Sequence, residues 1–227
     1  MKLMVLVMSI AFVTTGHALA QDTLFAPQVN YAVGYVPPCI AAADLNNDGH
    51  SDLAVANLLS GNVSILLNSG NGTFNSAVNY NTNSYPEAVY AADFDGDGHN
   101  DLAIPNNATN EVSILINNGN GTFQSPVSYG AGTSPFSIFA IDLNDDSHDD
   151  LVVANIGSAN VSVLINNGDG TFQTKVDYAA GSQPASVWSA DLDGDGDNDL
   201  VAANALSNNV SIFMNNGNGT FKAAVNY

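Results

Sequence analysis

The chain has 227 residues, 22 of them acidic and only three basic, for a formal charge of −19 with no arginine at all. Nucleic-acid recognition runs on Lys and Arg neutralising phosphates, so this charge balance excludes it. The one cysteine, Cys39, excludes an internal disulfide, and a chain of this length can bury a core without one.

In chain order, residues 1–20 carry the marks of a secretory signal: Lys2, the apolar run 3–13, and Ala18-Leu19-Ala20 as an A-x-A cleavage pattern. A membrane anchor needs about 20 apolar residues, and Thr14, Thr15, Gly16 and His17 interrupt the run. Cleavage after Ala20 is expected, giving a secreted or extracellular-surface protein. No later stretch of the sequence is apolar enough to span a bilayer.

From residue 32 the chain repeats. Units 32–80, 81–129, 130–178 and 179–227 each run 49 residues and end on Tyr80, Tyr129, Tyr178 and Tyr227. Phe74, Phe123, Phe172 and Phe221 keep the same spacing. A fixed period of this size marks a solenoid, propeller or array. Residues 21–31 repeat only the end of a unit, with Phe25, Val29 and Tyr31 matching Phe74, Val78 and Tyr80, and read as a spare outer strand.

Within the second unit four strand signals alternate with turns. Residues 88–92 lead into an acidic loop, 102–106 leave it, and 112–116 follow with alternating faces. Asn117-Asn118-Gly119-Asn120-Gly121 is a tight turn, since Asn and Gly tolerate positive φ. Thr122 to Tyr129 form the last strand. Nothing has a helical period, and four short strands per 45–50 residues, roughly, is the pattern of a propeller blade. Tyr-x-x-Gly/Asn-x-x-Pro elements, from Tyr31, Tyr80, Tyr129 and Tyr178, read as crossings between blades. The column Ala41, Tyr90, Phe139, Trp188 is expected to pack aromatics between blades, with Trp188 in the core rather than stacking on a sugar.

Seventeen of the 22 acidic residues fall in four nine-residue loops, 44–52, 93–101, 142–150 and 191–199. Alternate carboxylates on such a loop converge, and two unit charges ~4 Å apart repel by roughly 4 kcal/mol at an effective dielectric near 20. Ca²⁺ removes that cost by accepting six to eight oxygens in tolerant geometry. The expected cofactor is Ca²⁺, up to four ions, one per blade. An EF-hand would need Glu at position 12 and flanking helices; Val55, Ile104, Val153 and Ala202 stand there instead. The histidines at 50, 99 and 148 lie one per unit, too far apart for one zinc site.

The loop D-x-[DN]-x-D-G-x-x-D followed by a Leu-led strand resembles the FG-GAP/VCBS repeat family, the calcium-loop blades of integrin α-chain propellers and many bacterial surface proteins. The resemblance covers residues 22–227. It implies metal ligands at Asp44, Asn46, Asp48 and Asp52; at Asp93, Asp95, Asp97 and Asp101; at Asp142, Asn144, Asp146 and Asp150; and at Asp191, Asp193, Asp195 and Asp199. Position 7, held by His50, His99, His148 and Asp197, would lend its backbone carbonyl. Asn46 and Asn144 remove a charge from the first and third loops. Ser147 also replaces the glycine found at 49, 98 and 196, so the second and fourth loops are expected to bind best and the third worst.

The fold expected is all-β: a β-propeller of four four-stranded blades plus the spare strand, in an incomplete ring or arc. The function expected is a non-catalytic, calcium-stabilised adhesion or binding module for an extracellular protein or glycan. No membrane span should remain after cleavage, and self-association is expected through open blade edges. A lectin-like glycan binder is the alternative. A calcium-dependent polysaccharide-degrading enzyme is disfavoured, because no Arg and only the single, unrepeated Lys175 and Lys222 could neutralise a uronate anion.

Overall fold

The computed structural model describes residues 28–227. The signal at 1–20 and most of the spare strand, Phe25 included, lie outside the described residues. Among those described there are sixteen strands and no helix. Blade 1 comprises β1 (Cys39–Ala43), β2 (Asp52–Asn57), β3 (Asn62–Leu66) and β4 (Val78–Asn81). Blade 2 comprises β5 (Tyr90–Ala92), β6 (Asp101–Asn106), β7 (Glu111–Leu115) and β8 (Val127–Gly130). Blade 3 comprises β9 (Pro135–Ile141), β10 (Asp150–Asn155), β11 (Asn160–Leu164) and β12 (Val176–Ala179). Blade 4 comprises β13 (Pro184–Ala190), β14 (Asp199–Asn204), β15 (Asn209–Phe213) and β16 (Val225–Asn226).

Each blade is an antiparallel meander in sequence order. The hairpins between second and third strands turn on Gly61, Asn110, Ala159 and Asn208, all at positive φ. The predicted last strand is in two pieces: a bridge pairs Asn117 with Phe123, and the ladder resumes at Val127. The first strand of blade 2 is shorter than predicted. In the register of blades 1 and 3, Ala88 would face Pro105, which has no N–H to give the ladder, and β5 begins only at Tyr90.

The core lies between blades rather than inside one. Leu45, Ala54, Val63 and Ile65 of blade 1 meet Val89, Leu102, Ile104 and Leu115 of blade 2. The next seam sets Phe94, Val112 and Ile114 against Leu151, Val153 and Leu164; the third sets Val152, Val161 and Val163 against Leu200, Ala202 and Phe213. Middle strands are therefore covered on both faces, which is why 102–105 reads as a continuous apolar run. Each fully buried Leu, Ile or Val contributes about 1.5–3 kcal/mol.

First strands pack against one another, β1 on β5, β5 on β9 and β9 on β13. Among the described residues no cluster joins blade 4 to blade 1, so the four blades form an open arc. Trp188 shows the consequence. Expected in the core, it rests on Phe139 with ring centroids 4.4 Å apart, yet it is 63% exposed because no further blade among the described residues covers it. Residues 28–31 form no strand, but Tyr31 packs edge-on to Phe74 as Tyr80, Tyr129 and Tyr178 do to Phe123, Phe172 and Phe221.

Candidate metal centres

All four acidic loops join the first and second strands of a blade. Their shape comes from carboxylates accepting backbone N–H groups of their own loop. In blade 2, Asp93 accepts from Gly96 and Gly98, each at 2.8 Å, Asp95 from Asp97 and Asp97 from His99. The same bonds recur from Asp44, Asp142 and Asp191 to Gly49, Ser147 and Gly196. Position 6 has positive φ in every loop: 83° at Gly49, 87° at Gly98, 69° at Ser147 and 99° at Gly196. Position 4 does too, at Asn47, Gly96, Asp145 and Gly194, a demand the sequence reading did not single out.

Position 9 is a buried tie. Asp101 accepts the Phe94 N–H on one oxygen at 2.9 Å and the Asn117 N–H on the other at 2.7 Å. Asp52, Asp150 and Asp199 bind Leu45 and Asn68, Leu143 and Asn166, and Leu192 and Asn215 in the same way. Burial, which favours the neutral acid, pushes Asp101 up to about 6, with the charges of Asp95 and Asp97 adding and the two N–H donors opposing. Asp150 is likewise pushed to about 6, by burial first and then by Asp146 and Asp142.

One carboxylate oxygen from each of Asp93, Asp95 and Asp101 comes within 4.8 Å of the others, and so do those of Asp191, Asp193 and Asp195. Asp97 and Asp199 stand outside these two clusters. In the first and third loops the side-chain amides of Asn46 and Asn144 donate to Asp48 and Asp146 at 3.0 and 2.9 Å. An internal donor there takes a carboxylate oxygen that a cation would use. The imidazoles at position 7 lie over turn glycines instead: a Cβ at Gly119 or Gly168 would come within 2.5 Å of Nε2 of His99 or His148. Among the described residues Lys175–Asp177 is the one salt bridge, so no cationic side chain serves the loops.

The loops are also braced by the next blade. Asn117, Asn166 and Asn215 donate their side-chain N–H to the position-2 carbonyls of Leu45, Phe94 and Leu143, each at 2.9 Å. Gly170 adds a backbone N–H to the Phe94 carbonyl, and a Cβ there would sit 3.2 Å from that of Asp95. These asparagines recur every 49 residues, and in sequence the column of Asn117 shows only as a turn former. Among the described residues no blade packs on the fourth loop, and Leu192 is 44% exposed where Leu143 is 3%.

A family model described as an FG-GAP-like repeat matches residues 44–104, 93–153, 142–202 and 191–227. No curated protein matches the chain. Among solved structures, an Agrocybe aegerita lectin, described as recognising non-reducing terminal N-acetylglucosamine, is 25% identical over 82% of this chain and 50% of its own, with a TM-score of 0.59. A Bacteroides uniformis protein provisionally named a 6-phosphogluconolactonase is 17% identical, covering 82% and 52% of the two chains, with a TM-score of 0.60. The V. cholerae biofilm matrix protein Bap1 is 19% identical, covering 83% and 28%, with a TM-score of 0.54. The chain spans about half the length of the first two.

Proposed function

The chain belongs to the FG-GAP-like repeat family, and on that footing we propose that it is a secreted or surface-displayed, calcium-stabilised propeller module that binds an extracellular ligand without catalysis. The observation that carries this reading is the convergence of Asp93, Asp95 and Asp101 with no cationic side chain beside them among the described residues. Three hard carboxylate oxygens on a loop fit Ca²⁺. Asp93, Asp95 and Asp101 would hold it in blade 2, and Asp191, Asp193 and Asp195 in blade 4; the first and third loops would bind it through Asp44, Asp48, Asp142 and Asp146 once the amides of Asn46 and Asn144 turn.

The ion's part would be charge neutralisation. A metal that binds the folded chain alone contributes RT ln(1 + [Ca]/Kd), roughly 1.4 kcal/mol per site at ~1 mM calcium and a Kd of ~0.1 mM. Several such sites are comparable with the ~5–15 kcal/mol by which a domain is folded. Because the second loop is braced by Asn166 and Gly170, rigidity gained there passes to the seam between blades 2 and 3. Calorimetric titration of the calcium-depleted chain tests the reading: heat of binding with a rise in melting temperature supports it, and a melt indifferent to calcium ends it.

A glycan is the ligand class favoured by the likeness to the Agrocybe aegerita lectin, the one neighbour described above that reaches 25% identity. A glycan array run with calcium and with chelator tests this separately: calcium-dependent retention without turnover supports the lectin reading, and turnover would replace it with an enzyme.

A further inference from the structure

The turn between the third and outer strands of each blade is built on glycines, and six of the steps into them are Asn-Gly: 71–72, 118–119, 120–121, 167–168, 216–217 and 218–219. Such a step is open to deamidation. The glycine nitrogen attacks the asparagine Cγ, the Cγ–Nδ2 bond breaks and ammonia leaves. Water then opens the cyclic imide to aspartate, or to isoaspartate, in which the chain runs on through the side-chain carboxyl. The reaction needs an unengaged glycine nitrogen and an electron-poor Cγ.

The six steps are of two kinds. In the first, the nitrogen is engaged: Gly119, Gly168 and Gly217 donate their N–H to Oδ1 of Asn117, Asn166 and Asn215 at 3.0, 2.9 and 3.0 Å. Asn118, Asn167 and Asn216 are also anchored through Nδ2, the group that must leave, on the hydroxyls of Thr122, Thr171 and Thr220. In the second kind the bonds fall on the oxygen. Oδ1 of Asn71, Asn120 and Asn218 accepts the N–H of Thr73, Thr122 and Thr220 at 3.0, 3.0 and 3.1 Å, and their hydroxyls at 2.6 Å each. Donors held on that oxygen stabilise the negative charge it gains as Cγ is attacked. All three asparagines are exposed. The N–H groups of Gly72, Gly121 and Gly219 have no acceptor among the described residues.

We propose that Asn71, Asn120 and Asn218 are sites of spontaneous deamidation in the folded chain, and that the turn protects Asn118, Asn167 and Asn216. The repeat itself supplies the product. The fourth member of the reactive column is Asp169, and its carboxylate accepts the same two bonds from Thr171. Aspartate therefore keeps the turn and adds one negative charge per site. Asp169 does not pass on through the imide, because Gly170 spends its N–H on the Phe94 carbonyl at 2.9 Å. Isoaspartate is different, since it lengthens the backbone next to a glycine with no room to spare. A Cβ at Gly121 or Gly219 would come 2.8 or 2.7 Å from Leu67 or Ile165 of the preceding blade.

Peptide mapping by mass spectrometry tests this on the whole chain, held at mildly alkaline pH in native buffer and, in parallel, in urea. Each of two turns carries its own control, Asn118 for Asn120 and Asn216 for Asn218. In native buffer the second member should convert about tenfold faster than the first or more, and in urea the two should convert at similar rates. Asn120→Asp, the product made directly, should melt as the parent does. Equal or reversed rates in native buffer overturn the proposal. So does a preference that persists in urea, which would place it in local sequence, or a native chain that stays intact while the unfolded one converts. A lowered melt for Asn120→Asp overturns the claim that the turn accepts the product.

Discussion

Asn166 donates its side-chain N–H to the carbonyl of Phe94, 72 residues earlier and one blade back, at 2.9 Å. Its other bonds stay in its own blade: it donates to the Asp149 carbonyl, and its backbone N–H ties Asp150. One buried amide thus locks the acidic loop of blade 2, the turn of blade 3 and the seam between them.

Replacing Asn166 by alanine leaves the half-buried Asp149 carbonyl without this donor and the Phe94 carbonyl with the Gly170 N–H alone, at about 1–3 kcal/mol for a group left unsatisfied. The equivalent Asn68 donates only to Ser51 within blade 1, at an exposed position. Urea melts should show Asn166→Ala losing at least twice the stability that Asn68→Ala loses. Equal losses would mean the bond across the seam contributes nothing beyond the local turn.

The pH dependence has a worked sign. Asp101 and Asp150 sit at about 6 in the folded chain against an ordinary 3.8. The fold therefore holds their protons more tightly than the unfolded chain, and the stability this gives is complete below about pH 4 and lost as pH rises through about 6. Calcium-depleted protein should melt higher at pH 5 than at pH 7.5, by on the order of 5 °C. With calcium the loops favour ionised carboxylates and the gain from metal shrinks over the same interval. The two melting curves, with and without calcium, should converge as pH falls; parallel curves would place these carboxylates away from the metal.

Much of this architecture is legible in the sequence because the repeat tells each residue four times. The fixed spacing of Tyr80, Phe74 and the acidic loops is enough to give blade number, strand order and loop position. What it hides is direction between blades. The column of Asn117 reads as turn chemistry, since a turn asks for Asn whether or not its side chain reaches Leu45 in the blade before. Trp188 differs for a related reason: a column places a side chain on a face, while burial depends on a neighbour, and none among the described residues covers blade 4. Pro105 was visible, but its effect on β5 depends on register with Ala88, which no single strand encodes.

The two kinds of acidic loop should separate in calcium titrations. Loops with aspartate at position 3 bring three carboxylate oxygens together, whereas Asn46 and Asn144 spend an amide N–H on Asp48 and Asp146. Calorimetry should resolve a tighter class of two ions and a weaker class. Asn46→Asp should move one site from the weaker to the tighter class, about tenfold if the added charge is worth ~1.4 kcal/mol. It should also lower stability in chelator, because a fourth carboxylate then faces its neighbours unscreened. A variant that gains no affinity would show that position 3 does not face the ion.

Ser147 carries a backbone strain that its three counterparts avoid. Its φ of 69° matches the positive values at Gly49, Gly98 and Gly196, and its N–H makes the same 2.8 Å bond to Asp142 that Gly98 makes to Asp93. The loop thus keeps its shape and leaves serine in a region that costs an L-residue roughly 1–2 kcal/mol. Glycine relieves that cost but gains freedom in the unfolded chain worth about 0.4–1 kcal/mol, so Ser147→Gly should stabilise by only about 0.5–1 kcal/mol net. A urea midpoint moved upward at constant slope is the expected result, and the third site should bind calcium more tightly in the same variant. A lower midpoint would mean that the serine side chain contributes more to the loop than its backbone costs.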